Sequence, residues 1–218
     1  MPDDELIIDF DTTLDLNDED NVIEEIENIS TSLNDKHTIL EKILENTIIL
    51  NTVTKISELL EKSVKVRVET QPSRCKNCII DANVICCHCT TGILFSGGLD
   101  CTILAVLADK FVPKHQPIDL INVAFKTKNN SSYQVPDRIT GRQSFEELKN
   151  ICKSRQWVFR EVNIPKEKLE YHQMLTIGDL VYPRRTVLDE SLGSALWFAA
   201  DARSEDLGVS PCRMLSKC

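Results

Sequence analysis

The sequence predicts an α/β fold: a parallel sheet with flanking helices, preceded by a helical segment and an acidic N-terminal arm. From about residue 92 onward, short apolar runs with strand character alternate with segments of helical spacing, as in βαβ units. Residues 118–125 form a nearly continuous apolar run, which is typical of a strand buried on both faces. Gly97 and Gly98 stand between the first apolar run and the first helical pattern, where a tight turn is expected.

Two segments precede the predicted sheet. Residues 1–35 are predicted to be a flexible acidic arm with a short helix near residues 22–29. Residues 36–90 are predicted to be a helical segment followed by a cysteine-rich linker. Apolar residues recur at helical spacing across 37–62, and β-branched residues accumulate at 46–54, so we expect an amphipathic helix with a break there. This helix is expected to pack onto the following domain, with binding of a protein partner as the alternative.

The predicted α/β domain covers residues 91–203, and residues 204–218 form a divergent C-terminal tail. Strands are expected at 92–95, 118–125 and 157–164. Helices are expected at 99–110, 140–154, 165–175 and 186–202. Pro165 suits the start of a helix and Thr186 suits an N-cap, so these residues mark the beginnings of the last two helices.

Charge and hydropathy limit the range of functions. The first 35 residues hold 13 of the 34 acidic residues and no Lys or Arg, so the rest has 21 acidic and 25 basic residues. An acidic arm disfavours nucleic acid as a partner. No apolar run approaches the roughly 18 residues of a membrane span, and the N-terminus lacks the basic region of a secretory signal. We therefore expect a soluble, cytoplasmic protein whose cysteines are reduced or bind a metal rather than form disulfides.

The turn after the first strand has the residue types of a phosphate-binding loop. Two glycines permit a left-handed backbone and leave no Cβ to block a polyanion, so N–H groups can converge on phosphate oxygens at the helix N-terminus. The Ser96 hydroxyl can donate another hydrogen bond, and Leu99 is expected to face inward and anchor the turn. Asp100 would repel a bare phosphate, so it is expected beside a Mg²⁺ ion on pyrophosphate. The alternative is a tight βα turn with capping side chains.

Residues 96–100, Ser-Gly-Gly-Leu-Asp, resemble the S-G-G-x-D-S loop of the ATP pyrophosphatases. Residues 118–125, 135–142 and 186–199 further resemble the asparagine synthetase members of that family, and 135–142 is the most specific segment. The resemblance covers roughly residues 56–202. It implies an adenine nucleotide alpha-hydrolase-like fold and an ATP-dependent, amide-forming ligase. In that reaction ATP activates the aspartate side chain as an acyl-adenylate, pyrophosphate leaves into the loop, and ammonia displaces AMP.

The resemblance also implies cofactors and residue roles. ATP and Mg²⁺ are the implied cofactors, aspartate is the implied substrate, and no covalent enzyme nucleophile is required. The residues implied in binding are Leu94 and Phe125 beside adenine, Ser96, Gly97, Gly98 and Cys101 at phosphate, Leu99 at the turn, and Asp100 at Mg²⁺.

Three departures from the family pattern affect the expected activity. Cys101 stands where the family has Ser, and a thiol is a weaker hydrogen-bond partner, so phosphate affinity is expected to fall. Pro2 stands where glutamine-dependent members have a catalytic Cys, so this chain is expected to lack its own glutaminase nucleophile. The resemblance ends after Asp201, before the segment that completes the family's site. We therefore expect a truncated synthetase domain that is not active alone.

The cysteine-rich linker holds two C-x-x-C pairs, formed by Cys75, Cys78, Cys86 and Cys89. Four thiolates at this spacing could enclose a tetrahedral Zn²⁺ ion, and His88 could replace Cys89 as a ligand. The alternative is a solvated linker with reduced thiols. A zinc site would suit a rival function, that of a tRNA-thiolating ATP pyrophosphatase, although such an enzyme needs a basic surface. A third alternative is a non-catalytic remnant that acts as an interaction protein through its helices.

Overall fold

The computed structural model describes residues 16–75, 78–79, 85–126, 132–183 and 186–201. The chain divides into two compact units, one ending at Leu59 and the other beginning at Leu60. Residues 1–15 of the predicted acidic arm lie outside the described residues. The predicted tail at 204–218 also lies outside them.

The first unit is helical. It contains α1 (Leu16–Ser32), α2 (Lys36–Ile43) and the beginning of α3 (Thr47–Glu69), so the helix predicted near 22–29 is longer than expected. Asp35 is the N-cap of α2, because its carboxylate accepts from the Thr38 N–H at 2.8 Å and the Thr38 hydroxyl at 2.7 Å. These hydrogen bonds hold the pKa of Asp35 below its ordinary value.

The break predicted at 46–54 lies at residues 44–46 instead. Asn46 ends the break, because its side-chain oxygen accepts from the N–H groups of Ile48 at 2.9 Å and Ile49 at 3.2 Å. That arrangement is an N-cap, so α3 starts at Thr47 and continues through the β-branched residues that were expected to interrupt it. Along α3, Leu50, Val53 and Ile56 are exposed. The expectation of a protein partner for this helix stays a prediction.

The second unit contains a three-stranded parallel sheet, which confirms the predicted fold class. Its strands are β1 (Thr91–Leu94), β2 (Ile118–Phe125) and β3 (Trp157–Ile164), in the order β1-β2-β3. Ile118 of β2 lies opposite Thr91 on one side and Trp157 on the other. The helices of this unit are α4 (Leu99–Phe111), α5 (Pro136–Ile151), α6 (Lys166–His172), α7 (Gly178–Val181) and α8 (Val187–Asp201), with a π-helical turn at Gln173–Ile177 between α6 and α7.

Apolar residues cover both faces of this sheet. On one face, Leu120 packs with Ala105 of α4 and Leu148 of α5, and Val64 from the end of α3 joins the same cluster. On the other face, the adjacent residue Ile121 packs with Phe198 of α8 and with the π-helical turn. The side chains of β2 therefore alternate between two cores, as its nearly continuous apolar sequence predicts.

A buried arginine fixes the turn between α4 and β2. Arg155 is 5% exposed, and its Nε donates to Asp109 Oδ1 at 2.6 Å. Its Nη atoms donate to the carbonyl oxygens of Val112 and Gln116, both at 2.6 Å. Burial alone would raise the pKa of Asp109, but hydrogen bonds from Lys114 and Arg155 outweigh burial and lower it. Within the described residues, no helix is both long and apolar enough to cross a bilayer.

Candidate functional site

A cleft of about 600 Å³ lies at the carboxyl ends of β1 and β2. Leu94 and Ser96 line it from the end of β1, and Phe125 lines it from the end of β2. The first turn of α5 and the first half of α8 complete the wall. In open α/β sheets, ligands bind in the crevice outside the carboxyl ends of the strands. The two residues predicted to flank adenine therefore share one cleft with the predicted phosphate contact Ser96.

The turn from β1 to α4 depends on a left-handed glycine. Gly97 has φ +83°, and a Cβ added there would lie 2.5 Å from the backbone N of Gly141 and the backbone C of Thr140. Its carbonyl oxygen accepts from the buried Ser144 hydroxyl at 2.7 Å. The loop is therefore packed directly on the backbone of α5. Gly97 was predicted for its conformation, but the close approach to α5 is an additional reason for a glycine.

Gly98 begins α4 and has a different environment. It is the N-cap residue in an extended conformation, and a Cβ added there would meet only the Ser96 Oγ, at 3.5 Å. Its carbonyl oxygen accepts from Cys101 Sγ at 3.2 Å and from Thr102 Oγ1 at 2.8 Å. The Ser96 Oγ and Cys101 Sγ lie 3.7 Å apart, so the hydroxyl and the thiol meet at the helix N-terminus. Asp100 is exposed in the first turn, where backbone N–H groups favour anions.

The inward orientation predicted for Leu99 is wrong. Its side chain is 76% exposed, whereas Phe95, the residue directly after β1, is 1% exposed. Phe95 packs edge to face on Phe159, with the ring centroids 6.3 Å apart. Leu99 is the first residue of α4, and the residues that this helix buries lie further along it, among them Ala105 and Ala108. Phe95 is therefore the apolar anchor of the loop.

A buried polar network, missed by the sequence prediction, fixes the elements around the cleft. Arg138 in the first turn of α5 is fully buried and donates through Nε to Asn122 Oδ1 at 2.6 Å. Its Nη1 donates to Glu161 Oε2 at 2.7 Å, and Arg142 donates to Glu161 Oε1 at 2.7 Å. The Asn122 amide donates to the Phe95 carbonyl at 2.8 Å. The network therefore connects β2, β3 and the residue after β1 to α5.

The charges of this network set the ionisation of Glu161. A hydrogen bond from Arg142 and the charge of Arg138 hold the pKa of Glu161 below its ordinary value, against the opposing effect of burial. Burial lowers the pKa of Arg138, but a guanidinium stays charged in proteins. The sequence did contain a signal for this network. Asn122 interrupts an apolar strand, and Arg138 lies in the 135–142 segment that is the most specific part of the family resemblance.

A second cluster of side chains lies before β1. It contains Cys75, Cys78, Cys86 and His88, whose potential ligand atoms all lie within 4.8 Å of one another. The predicted fourth thiolate, Cys89, is not among them. Cys89 Sγ donates to the Thr91 carbonyl at 3.1 Å, and burial raises its pKa to about 12. Of the two candidates for the fourth position, the structure brings His88 into the cluster, whereas Cys89 contacts the backbone of β1.

Together the fold and the cleft define the class: an α/β domain with a parallel sheet and a candidate ligand site at the carboxyl ends of its strands. No family model matches the chain, and no solved structure matches it. The chain is 42% identical over 169 residues to an asparagine synthetase domain-containing protein of Drosophila melanogaster, covering 74% of this chain and 30% of that protein. It is 34% identical over 203 residues to human asparagine synthetase domain-containing protein 1, covering 74% of this chain and 31% of that protein.

A similarly named protein of Saccharomyces cerevisiae is 28% identical over 164 residues, covering 71% of this chain and 29% of that protein. This chain is therefore a homologue of one part of the asparagine synthetase domain-containing proteins. It spans about 30% of the length of the curated relatives it matches.

Proposed function

We propose that this α/β unit is the ATP-binding part of an asparagine synthetase-like ATP pyrophosphatase. One observation carries the proposal: Ser96 belongs both to the glycine loop at the N-terminus of α4 and to the wall of the cleft. A nucleotide with its base in the cleft could therefore reach the helix N-terminus with its phosphates. The names of the relatives support a synthetase reaction for the whole protein.

Each part of the site would have a separate task. Leu94 and Phe125 offer apolar surface for adenine at the ends of adjacent strands. The N–H groups that open α4, together with the Ser96 hydroxyl and the Cys101 thiol, would hold the phosphates. This arrangement stabilises a departing polyanion electrostatically and requires no covalent nucleophile.

Asp100 is the residue that we propose for Mg²⁺. Its exposed carboxylate stands in the first turn of α4, beside the proposed phosphate site, and carboxylate and phosphate oxygens are the ligands that Mg²⁺ prefers. When bound, the ion would neutralise the charge of pyrophosphate as it leaves. For the whole protein we propose the conversion of aspartate to asparagine through an acyl-adenylate, with release of AMP and pyrophosphate.

Calorimetric titration of Mg·ATP into the purified chain tests the binding proposal. We expect measurable heat that is reduced when Mg²⁺ is omitted. Asp100→Asn should weaken Mg·ATP binding roughly 10- to 100-fold, as for the loss of metal-site residues. Asp179→Asn is the matched control, because it removes an exposed carboxylate from the first turn of α7, outside the cleft wall. The absence of heat at millimolar ATP would refute the proposal, and an unchanged affinity of Asp100→Asn would refute its metal role.

The cluster of Cys75, Cys78, Cys86 and His88 favours one rival, a tRNA-thiolating ATP pyrophosphatase. Charge argues against it, since the chain carries a formal charge of −9. An electrophoretic shift assay with tRNA separates the two. We expect no shift at physiological salt, and a salt-dependent shift in the micromolar range would favour the rival.

A further inference from the structure

We propose that Cys75, Cys78, Cys86 and His88 bind a structural Zn²⁺ ion that fastens the segment before β1 to the α/β unit. The site lies before β1, whereas the proposed nucleotide loop follows it, so the inference does not depend on ATP binding. The argument rests on the spacing of the ligand atoms, their burial, and the connections of the cluster to its surroundings.

The first argument is geometric. In a tetrahedral zinc site with Zn–S of about 2.3 Å and Zn–N of about 2.0–2.1 Å, each sulfur lies about 3.6 Å from the nitrogen. His88 Nδ1 lies 3.6 Å from Cys75 Sγ, 3.4 Å from Cys78 Sγ and 3.8 Å from Cys86 Sγ. A neutral imidazole nitrogen has either one proton or one lone pair, so hydrogen bonding explains at most one of these three contacts. A shared metal explains all three.

The second argument concerns the thiols. Cys75 is 1% exposed, Cys86 is 3% exposed and Cys78 is 8% exposed, so the cluster is withdrawn from water. The Cys78 N–H lies 3.4 Å from Cys75 Sγ, and the Cys75 N–H lies 3.4 Å from Cys86 Sγ. Backbone N–H groups directed at sulfur stabilise thiolate charge around a metal. The Cys78 N–H also donates to the Cys75 carbonyl at 3.1 Å, which joins the first two ligands through their backbones.

The ligand types identify the metal and its role. Three thiolates and one imidazole form a set that is typical of structural zinc, whereas Mg²⁺ and Ca²⁺ prefer oxygen ligands. Four protein ligands complete a tetrahedron and leave no position for water or substrate. The geometry therefore points to a structural site.

The cluster is connected to the sheet through Gln116. This side chain is 2% exposed, and its amide nitrogen donates to the carbonyl oxygens of Ser73 at 3.0 Å and Cys86 at 3.1 Å. Its amide oxygen accepts from the Thr90 hydroxyl at 2.8 Å. Gln116 belongs to the turn that Arg155 fixes between α4 and β2. Zinc would therefore hold the backbone at Ser73 and at Cys86, the two places that Gln116 contacts, close to this turn and just before β1 begins.

The test is metal analysis of the chain purified in reductant with zinc in the growth medium. We expect inductively coupled plasma mass spectrometry to find one zinc ion per chain. Cys78→Ser and His88→Ala should each lower zinc retention at least tenfold after dialysis against a weak chelator. Cys87→Ser and Cys89→Ser should retain stoichiometric zinc, because Cys87 is exposed and Cys89 contacts the β1 backbone.

Cobalt substitution provides a second readout, on the full chain. The Co²⁺ form should show the visible bands of a tetrahedral site and a thiolate-to-cobalt charge-transfer band. The variant His88→Cys would have four thiolate ligands instead of three, so the intensity of the charge-transfer band should increase by about a third.

Several outcomes would overturn the proposal. A wild-type chain without zinc or bound cobalt would refute it, and so would equal metal loss in Cys87→Ser and Cys78→Ser. Loss of zinc in Cys89→Ser with retention in His88→Ala would refute the ligand set. If ligand variants do not fold, chelator added to the wild-type chain still decides the matter, since removal of zinc should lower the melting temperature.

Discussion

The loop that begins α4 should tolerate alanine at Gly98 but not at Gly97, although the two residues are adjacent. At Gly97 the backbone has φ +83°, which costs a residue with a Cβ about 1–2 kcal/mol. The added Cβ would lie 2.5 Å from backbone atoms of α5, and relieving such an overlap costs about 1–3 kcal/mol. Alanine also restricts the unfolded chain, which returns about 0.4–1 kcal/mol. Gly97→Ala should therefore destabilise the α/β unit by about 1–5 kcal/mol.

Gly98→Ala is the matched control. Gly98 has a conformation open to any residue, and its added Cβ would meet only a side-chain oxygen at 3.5 Å. Replacement of an N-cap glycine by alanine should cost about 1 kcal/mol or less. Urea unfolding followed by tryptophan fluorescence measures both effects, because Trp157 and Trp197 are the only tryptophans and both lie in the α/β unit. Equal urea midpoints for the two variants would refute the close approach of Gly97 to α5.

Three further predictions concern the contacts around the loop. Glu161 has a pKa below its ordinary value of 4.5, so its stabilising effect is complete above about pH 4.5 and is lost as the pH falls through the lower folded-state pKa. Glu161→Gln should therefore flatten the acid-induced fall of the urea midpoint below about pH 4.5, and an unchanged slope there would contradict this. Arg138→Met should cost about 3–5 kcal/mol in urea unfolding because it leaves buried acceptors unpaired. The Arg142 side chain is 44% exposed, so Arg142→Met should lower the free energy of unfolding much less. A similar loss in the Arg138 and Arg142 variants would argue against the buried network. Ser144→Ala should cost about 1–3 kcal/mol by leaving the buried Gly97 carbonyl unpaired, and an unchanged urea midpoint would contradict that hydrogen bond.

The two long strands were predictable to the residue, since 118–125 and 157–164 are β2 and β3. Both have distinct patterns bounded by turn residues, and local sequence decides such cases. The last predicted helix begins as expected, because the Thr186 hydroxyl accepts from the Asp189 N–H at 3.1 Å. The start of α5 was predicted four residues late, since Pro136 was assigned to the preceding loop although proline suits a first helical turn.

The features of the site that the sequence left open depend on how the folded chain brings residues together. The requirement for Gly97 depends partly on Gly141, 44 residues later, and no local pattern reveals that pair. The choice between His88 and Cys89 depends on which side chain faces the cluster as the chain enters β1. Regular C-x-x-C spacing favoured Cys89, but the direction of the backbone decides for His88.

Both proposed sites adjoin the same short strand, and this arrangement has a thermodynamic consequence. β1 has only four residues, so its backbone ladder with β2 offers few hydrogen bonds, and contacts beyond its ends must help to hold it. After its C-terminal end, Phe95 continues the ladder by donating to the Ile121 carbonyl at 2.8 Å, and Asn122 binds the Phe95 carbonyl. Before its N-terminal end stand Cys89 and the proposed zinc ligands.

If zinc holds the start of β1 and ATP binds after its end, each ligand stabilises a state in which the strand is in place. Zinc should then raise the affinity of the chain for Mg·ATP although the two ligands do not contact each other. By thermodynamic reciprocity, Mg·ATP should raise the affinity for zinc by the same factor. The size of this factor separates coupled sites from independent ones, because independent sites would give a factor of one in both measurements and would refute the coupling.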